Sequence, residues 1–254
     1  MKSELFELAV QASTRIPPKN VIGTKSEYRV HGALKYYFQP DDSLHEVKVN
    51  GFICDAVSED GSEVIEIQTR AFSHLKKKLT ELTKSHVVTV VYPVITEKRV
   101  FVTYSESGET TVRKSPKMGK PIDILYEIYS IRDFLENPNL RFRIALLKSD
   151  EYRVYSGTKE ARKPFQKPIS VERIPTELID VIKLEKPDDY RVFLPDSLPE
   201  FFDSAIYTKA LGVPRKDSSY VINPLKWLGI IRQIGTVNRS RIYEVATATP
   251  FNSL

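Results

Sequence analysis

The chain has 254 residues, 41% of them apolar and 28% charged, and its 38 basic and 33 acidic side chains give a net charge of +5. No apolar run approaches the roughly 20 residues that a membrane-spanning helix needs, and the first residues lead into no signal-peptide apolar segment. We therefore expect a soluble, cytoplasmic protein without a membrane partner. The one cysteine, Cys54, excludes an internal disulfide and a cysteine-based zinc cage, so stability must come from buried apolar surface.

The first 95 residues predict the order helix, strand, strand, strand, helix, strand. Thr24-Lys25-Ser26-Glu27 has the capping-box pattern that begins a helix, and Asp60-Gly61 is a typical hairpin turn. A later run of β-branched residues is typical of a strand that is covered on both faces. The predicted helices span residues 25–38 and 72–85, and the predicted strands span 45–49, 51–57, 63–69 and 87–92.

The next part of the chain extends this domain, and the pattern changes after Pro187. There, two short helices precede two strands around a polar turn, which are the parts of a winged-helix module. We expect an α/β domain over residues 1–170, a linker or the first helix of the next domain over 171–195, and a small C-terminal winged-helix domain over 196–254. The further predicted strands span residues 100–104, 110–113, 141–147, 230–235 and 241–245, and the further helices span 122–137, 204–211 and 217–228.

The predicted hairpin around Asp60-Gly61 brings two acids together. With these residues at the centre of the turn, Asp55 stands directly opposite Glu66, at a Cβ separation of about 5 Å. Opposed carboxylates repel one another, and a hard divalent cation such as Mg²⁺ would offset the repulsion. The alternative is that both acids point into solvent. Apolar neighbours predicted on the same face favour a covered metal site; they are Ile53, Val57 and Val64.

The motif Cys54-Asp55 followed by Glu66-Ile67-Gln68, on a hairpin between two helices, resembles the PD-(D/E)XK nuclease superfamily, in its bacterial or archaeal type with a C-terminal winged helix. The resemblance implies a restriction-endonuclease-like α-β-β-β-α-β core with a mixed central sheet. It implies that Asp55 and Glu66 bind Mg²⁺ or Mn²⁺, with the carbonyl of Ile67 as a further ligand. It also implies that Gln68 takes the position of the usual lysine, where glutamine can orient an attacking water but adds no charge.

Three residues of the first predicted core helix are further candidates. Many members of the superfamily place a catalytic acid on this helix, and Glu27 fits that place, although the capping box explains the same residue. His31 lies four residues on, where it either contacts Glu27, a phosphate or the metal site, or has a structural role. Lys35, together with Lys25, is the nearest candidate for the charge that Gln68 lacks.

The resemblance implies metal-dependent hydrolysis of DNA phosphodiester bonds by an endonuclease. One alternative is a DNA-binding or regulatory protein that keeps the nuclease fold without turnover, and another is a partner-binding subunit without nucleic-acid affinity. A homodimer is a candidate assembly, because members of the superfamily often work in pairs that cut two strands.

Cations in two regions are candidates for contacts with DNA phosphates. Residues 96–170 hold 15 basic and 10 acidic side chains. This excess of positive charge either binds a polyanion or forms a solvated basic face. Lys163 is the candidate phosphate contact in this region. The winged helix would lay residues 217–228 in the major groove, although such modules also bind proteins. Its candidate phosphate contacts are Arg215, Lys216, Arg239 and Arg241.

Overall fold

The computed structural model describes residues 2–15, 25–160 and 166–247; for Lys2, Arg15 and residues 25–28 it describes the backbone alone. The described chain forms two compact units, each built from three stretches of sequence. The predicted boundaries at residues 170 and 196 do not follow this division, because segments distant in sequence pack together in both units. The sheet unit comprises Met1–Thr69, Thr89–Lys120 and Arg143–Ile182, and the helical unit comprises Arg70–Val88, Pro121–Phe142 and Lys183–Leu254.

The sheet unit is a mixed α/β structure around a mixed seven-stranded sheet. Its strand order is β1-β2-β3-β4-β6-β7, and β5 pairs with β4. The chain reaches β4 from β3 through a helix, α3, which is the kind of connection that parallel neighbours require. The strands are β1 (His45–Val49), β2 (Phe52–Val57), β3 (Glu63–Ile67), β4 (Val87–Tyr104), β5 (Thr110–Lys114), β6 (Leu140–Tyr155) and β7 (Ile169–Leu184).

The strands predicted before residue 150 are found, except that those predicted separately over 87–92 and 100–104 form the one continuous strand β4, whereas the prediction for residues 171–195 is wrong. Those residues were expected to be a linker or a helix, and most of them form β7. Pro175 and the mixed charges of β7 interrupt the alternation of apolar and polar residues by which a strand is recognised in a sequence. A proline is tolerated here because β7 ends the strand order, where a missing N–H removes no bond between central strands.

Two helices, α1 (Lys2–Arg15) and α2 (Lys25–Phe38), form the helical layer of the sheet unit. The helix predicted over residues 25–38 is confirmed, whereas α1 was not predicted. The two helices approach closely at Gly32, where an added Cβ would lie 3.1 Å from the Ser13 Cβ. Their buried apolar side chains form one core with the hairpin β2–β3 and with β4, β6 and β7. The core contains Phe6, Val30, Ala33, Leu34, Ala56, Ile65, Ile67, Val91, Ala145, Leu147 and Leu178.

The helical unit combines four short helices with a three-stranded sheet of order β8-β10-β9. The helix predicted over residues 122–137 is interrupted, because Ile131 has a non-helical backbone (φ −119°, ψ 29°). The strand β8 was not predicted. No helix among the residues that the structure describes is both long and apolar enough to cross a membrane. The elements are α3 (Lys76–Leu82), α4 (Ile124–Ile128), β8 (Phe201–Asp203), α5 (Ser204–Leu211), α6 (Ser218–Trp227), β9 (Ile231–Val237) and β10 (Ser240–Val245).

A buried carboxylate joins three strands of the sheet unit. Glu151 on β6 is 2% exposed, and Lys98 on β4 places its Nζ 2.7 Å from the Glu151 Oε2. Arg153 Nη2 lies 2.9 Å from the Oε1, and Arg173 Nη2 on β7 lies 3.6 Å from the Oε2. Burial alone would raise the pKa of Glu151, but these three cations outweigh burial and lower it to about 2.

We predict that Glu151→Gln lowers the free energy of unfolding by roughly 3 kcal/mol at pH 7, because three cations lose their shared carboxylate. Since the folded pKa lies below the ordinary value, this contribution is complete above about pH 4.5 and is lost as the pH falls toward 2. Urea denaturation should therefore show the two proteins converging in acid. Glu97→Gln, which removes an exposed partner of Lys114, should change stability little at any pH. A constant gap between wild type and Glu151→Gln from pH 7 to pH 3 would contradict the network.

Candidate active site

The register of the β2–β3 hairpin agrees with the sequence prediction. Ala56 pairs with Ile65, and Val57 pairs with Val64. The loop has two more residues than a tight turn, but it is symmetric about Asp60-Gly61 and therefore leaves the register unchanged. Within the loop the Asp60 carboxylate accepts bonds from the Ser62 N–H and from the hydroxyls on either side. The sequence of the turn thus fixes which residues face each other further along the strands.

At the next pair of positions, the carboxylates of the two predicted acids accept hydrogen bonds from the backbone of the opposite strand. The Ile67 N–H of β3 donates to the Asp55 Oδ2 over 2.8 Å. In return, the Asp55 N–H of β2 approaches the Glu66 Oε1 at 3.4 Å. Each carboxylate therefore accepts a backbone N–H of the opposite strand. The predicted meeting of Asp55 and Glu66 is found in the structure, with the acids held as part of the sheet.

The helix α2 places two cation-forming side chains near these acids. His31 Nε2 lies 3.1 Å from the Asp55 Oδ2, and Lys35, one turn further along α2, forms an ion pair with Glu46 of β1. Burial alone would raise the pKa of the Asp55 carboxyl. The hydrogen bond and charge of His31, the Ile67 N–H and the charge of Lys35 outweigh burial, and this pKa lies below its usual value. The site therefore favours an ionised Asp55.

The face that carries the two acids is covered on one side only. Val57, Val64 and Glu66 are buried, as expected from the apolar pattern. Ile53, however, is 63% exposed, so the expectation that the whole face is covered is wrong at this end of β2. The Asp55 side chain, between the two regions, is 19% exposed. Glu66 is thus buried in the sheet, whereas the Asp55 side chain is partly exposed to solvent.

The remaining predicted site residues occupy different positions. Gln68 is half-buried, and its N–H donates to the Val91 carbonyl over 2.9 Å, which joins β3 to β4. Ile67 is buried between the acid and this bond. The backbone of Glu27 belongs to α2, but its side chain lies outside the described residues, as does Lys163.

Asp55 and Glu66 supply carboxylate oxygens, which are the ligand type that Mg²⁺ and Mn²⁺ take. The two hydrogen bonds described for the Asp55 carboxylate, from His31 and from the Ile67 N–H, both involve its Oδ2. No group of three or more His, Cys, Asp and Glu side chains that could hold a metal is found in the described part of the chain. Mg²⁺ does not need such a group, because it commonly binds one or two carboxylates and completes its shell with water and substrate phosphate.

In the helical unit, the four predicted phosphate contacts are all exposed; they are Arg215, Lys216, Arg239 and Arg241. Arg239 lies at the tip of the β9–β10 hairpin with φ +66°, a left-handed conformation that is unusual for arginine. Two aromatic side chains of the helix α6, which was predicted to lie in the major groove, are engaged in ring contacts and are therefore less available for reading bases. Tyr220 stacks on Tyr126 at 5.4 Å between ring centres, and Trp227 contacts Tyr129 at 5.2 Å. The four predicted phosphate contacts therefore lie on the turn before α6 and on the β9–β10 hairpin.

The sequence did not predict the cluster that Glu151 forms with Lys98, Arg153 and Arg173, which we call the Glu151 cluster. Arg153 belongs to the predicted basic region, but Lys98, Glu151 and Arg173 are far apart in sequence. Their meeting depends on the order β4-β6-β7, and β7 was not predicted. Only a correct assignment of that strand could have indicated the cluster.

These features place the protein in the class of mixed α/β proteins with a pair of acids on a central hairpin. The chain belongs to the family described as a domain of unknown function, DUF8091, whose model matches residues 28–185. It is also 34% identical over 181 residues to an uncharacterized protein of Treponema pallidum (strain Nichols), which covers 71% of each chain. No solved structure matches the chain. The family match includes the hairpin, His31 and the Glu151 cluster, and it ends before the helices α5 and α6.

We predict that His31→Ala lowers the free energy of unfolding by roughly 1–2 kcal/mol, because a half-buried carboxylate loses a hydrogen-bond partner. Urea denaturation at pH 7 measures the change. His74→Ala, at an exposed histidine of the helical unit, is the control and should stay within a few tenths of wild type. Equal losses in the two variants would show that His31 does not support Asp55.

Proposed function

We propose that the protein hydrolyses phosphodiester bonds of DNA as an endonuclease, with Mg²⁺ or Mn²⁺ bound by Asp55 and Glu66. The observation that carries the proposal is the reciprocal bonding of these two acids across β2 and β3, with His31 beside them. The order of elements supports it. Helix α2, the strands β1, β2 and β3, the helix α3 and the strand β4 follow one another, and the four strands are neighbours in that order. A restriction-endonuclease-like core has this order of elements along the chain.

The residues of the chain have separate roles in this proposal. Asp55 and Glu66 would hold the cation, with the Ile67 carbonyl as a further ligand. When bound, the cation would lower the pKa of a water molecule and offset charge on the phosphate. The Ile67 N–H and His31 occupy the Asp55 Oδ2, which fixes the orientation of the carboxylate, and the Oδ1 would contact the cation.

The missing lysine has a counterpart on the helix. Gln68 would orient a water molecule but supplies no charge. Lys35 already acts on the electrostatics of Asp55, and its side chain is 11% exposed, so its charge is held close to the site. We therefore assign to Lys35 the charge that Gln68 lacks.

A second candidate is a DNA-binding protein that keeps the nuclease fold without turnover. The specific observation in its favour is Gln68 at the usual lysine position. Both candidates predict DNA binding, and they differ only in cleavage. A partner-binding subunit, the third candidate, would bind no DNA at all.

The helical unit supports DNA docking by a winged helix. The strand β8 precedes α5 and α6 and pairs with β10, which also pairs with β9. A small sheet closed in this way around two helices is the arrangement that a winged helix requires. Since Tyr220 and Trp227 of α6 are engaged in ring contacts with Tyr126 and Tyr129, we propose that docking depends on phosphate contacts of the turn and hairpin cations rather than on base readout.

We predict that Asp55→Asn and Glu66→Gln each reduce Mg²⁺-dependent cleavage of plasmid and oligonucleotide DNA by at least about 100-fold, because each removes one ligand charge. Binding measured in EDTA should be retained. Glu59→Gln, which neutralises an acid in the loop of the same hairpin, should cleave like wild type. Wild-type cleavage by Asp55→Asn would refute the site, and DNA binding without cleavage by the wild type would favour the second candidate.

We predict that Arg239→Gly raises thermal stability while weakening DNA binding. Glycine adopts the left-handed turn without the cost of about 1 kcal/mol that a side chain carries there. The loss of one phosphate contact should reduce the slope of log affinity against log salt by about 1.

Arg232→Gln is the matched control on the same hairpin, because Arg232 is already paired with Glu244. It should leave the salt slope near the wild-type value. A wild-type slope in Arg239→Gly would contradict the role of the hairpin in docking.

A further inference from the structure

The cations of the distal part of the sheet, toward the ends of β4, β6 and β7, are distributed unequally between its two faces. On one face each cation has its own carboxylate. Arg99 Nη2 lies 2.6 Å from the Asp150 Oδ2, and two further pairs lie at 2.8 Å. These further pairs are Lys114 with Glu97 and Lys148 with Glu177. This face is electrically balanced.

On the opposite face three cations share one carboxylate. Lys98 and Glu151 are the strand neighbours of Arg99 and Asp150, and alternation turns their side chains the other way. With Arg153 and Arg173 they form a group of three positive charges and one negative charge. The group thus carries an excess charge of about +2.

The arrangement holds the cations rigidly while leaving part of each accessible. Glu151 is buried, and the same strands β4 and β6 carry a buried apolar cluster of Val100, Val102, Tyr104 and Tyr155. The Arg153 and Arg173 side chains are each 28% exposed, and that of Lys98 is 15% exposed. The Arg173 Nε is buried and has no hydrogen-bond partner among the described residues. An anion would therefore contact the exposed parts of the three cationic side chains, and not the buried Arg173 Nε.

We propose that Lys98, Arg153 and Arg173 form a clamp for backbone phosphates of DNA. Guanidinium groups match phosphate oxygens in pairs, and a fixed carboxylate beneath them reduces the ordering cost of binding. The clamp rests on the proposed function for its ligand and deepens it by defining the substrate.

The position of the clamp identifies a polynucleotide rather than a small phosphodiester. Gln68, beside the two acids, bonds to Val91, and Lys98 lies seven residues further along β4. At about 3.3 Å per residue this is roughly 23 Å along the strand. A DNA duplex advances that distance in about seven base pairs. A ligand that reaches both sites must therefore be several nucleotides long.

The test is fluorescence anisotropy of a labelled 24-base-pair DNA duplex, in EDTA, over a range of salt concentrations. Arg173→Met is the main variant, because Arg173 is the most distant of the three cations from Glu151. We expect about 5- to 10-fold weaker binding and a salt slope reduced by about 1. Lys114→Met, which removes one cation from the balanced face, is the matched control and should retain the wild-type slope. Equal slopes in the two variants would overturn the clamp.

Two further arms keep the result interpretable. Arg173→Lys keeps the charge and should restore the salt slope, so failure to restore it in a folded protein would contradict an electrostatic clamp. Inorganic phosphate, added at constant ionic strength, should not displace the duplex; displacement at low millimolar phosphate would indicate a small-anion site and overturn the polynucleotide assignment. Cleavage by the wild type together with an unchanged Arg173→Met slope refutes the clamp alone. A reduced slope without wild-type cleavage supports the clamp and refutes the proposed hydrolysis.

Discussion

The candidate site depends on one constraint, the reciprocal bonding of two acids to the backbone of the strand opposite. Asp55 accepts the Ile67 N–H, and Glu66 faces the Asp55 N–H. In an ordinary hairpin, backbone carbonyls would accept these bonds, and two opposed carboxylates would only repel. Here each carboxylate has a structural partner, so the acids can remain close together and largely buried. This arrangement places two carboxyl groups at one point of the sheet.

The surrounding elements extend this constraint. The symmetric loop around Asp60 fixes the register, and the register fixes which acids meet. The helix α2 brings His31 to the acid oxygen that the backbone also occupies. One oxygen of the Asp55 carboxylate is thus restrained twice. Rigid placement of this kind is what the proposed metal site would need.

Much of the hairpin and its site could be predicted because local signals determine them. A turn signal and strand alternation are enough to place Asp55 opposite Glu66, and a capping pattern is enough to place a helix over residues 25–38. The strand β7 and the cluster around Glu151 could not be predicted in the same way. They depend on pairing between segments distant in sequence, and Pro175 obscures the strand pattern of β7. The exposure of Ile53 was also missed, because periodicity shows which residues share a face but not how far a covering helix extends.

The sheet unit therefore combines an acidic pair on the β2–β3 hairpin with an excess of positive charge on the distal part of β4, β6 and β7. The central claim is that the acidic pair binds a divalent cation, and isothermal titration of Mn²⁺ into the full chain tests it most directly. The account predicts one bound ion per chain in the wild type and in Glu59→Gln, and loss of that ion in Asp55→Asn. Absence of Mn²⁺ binding in the wild type, or unchanged binding in Asp55→Asn, would contradict it.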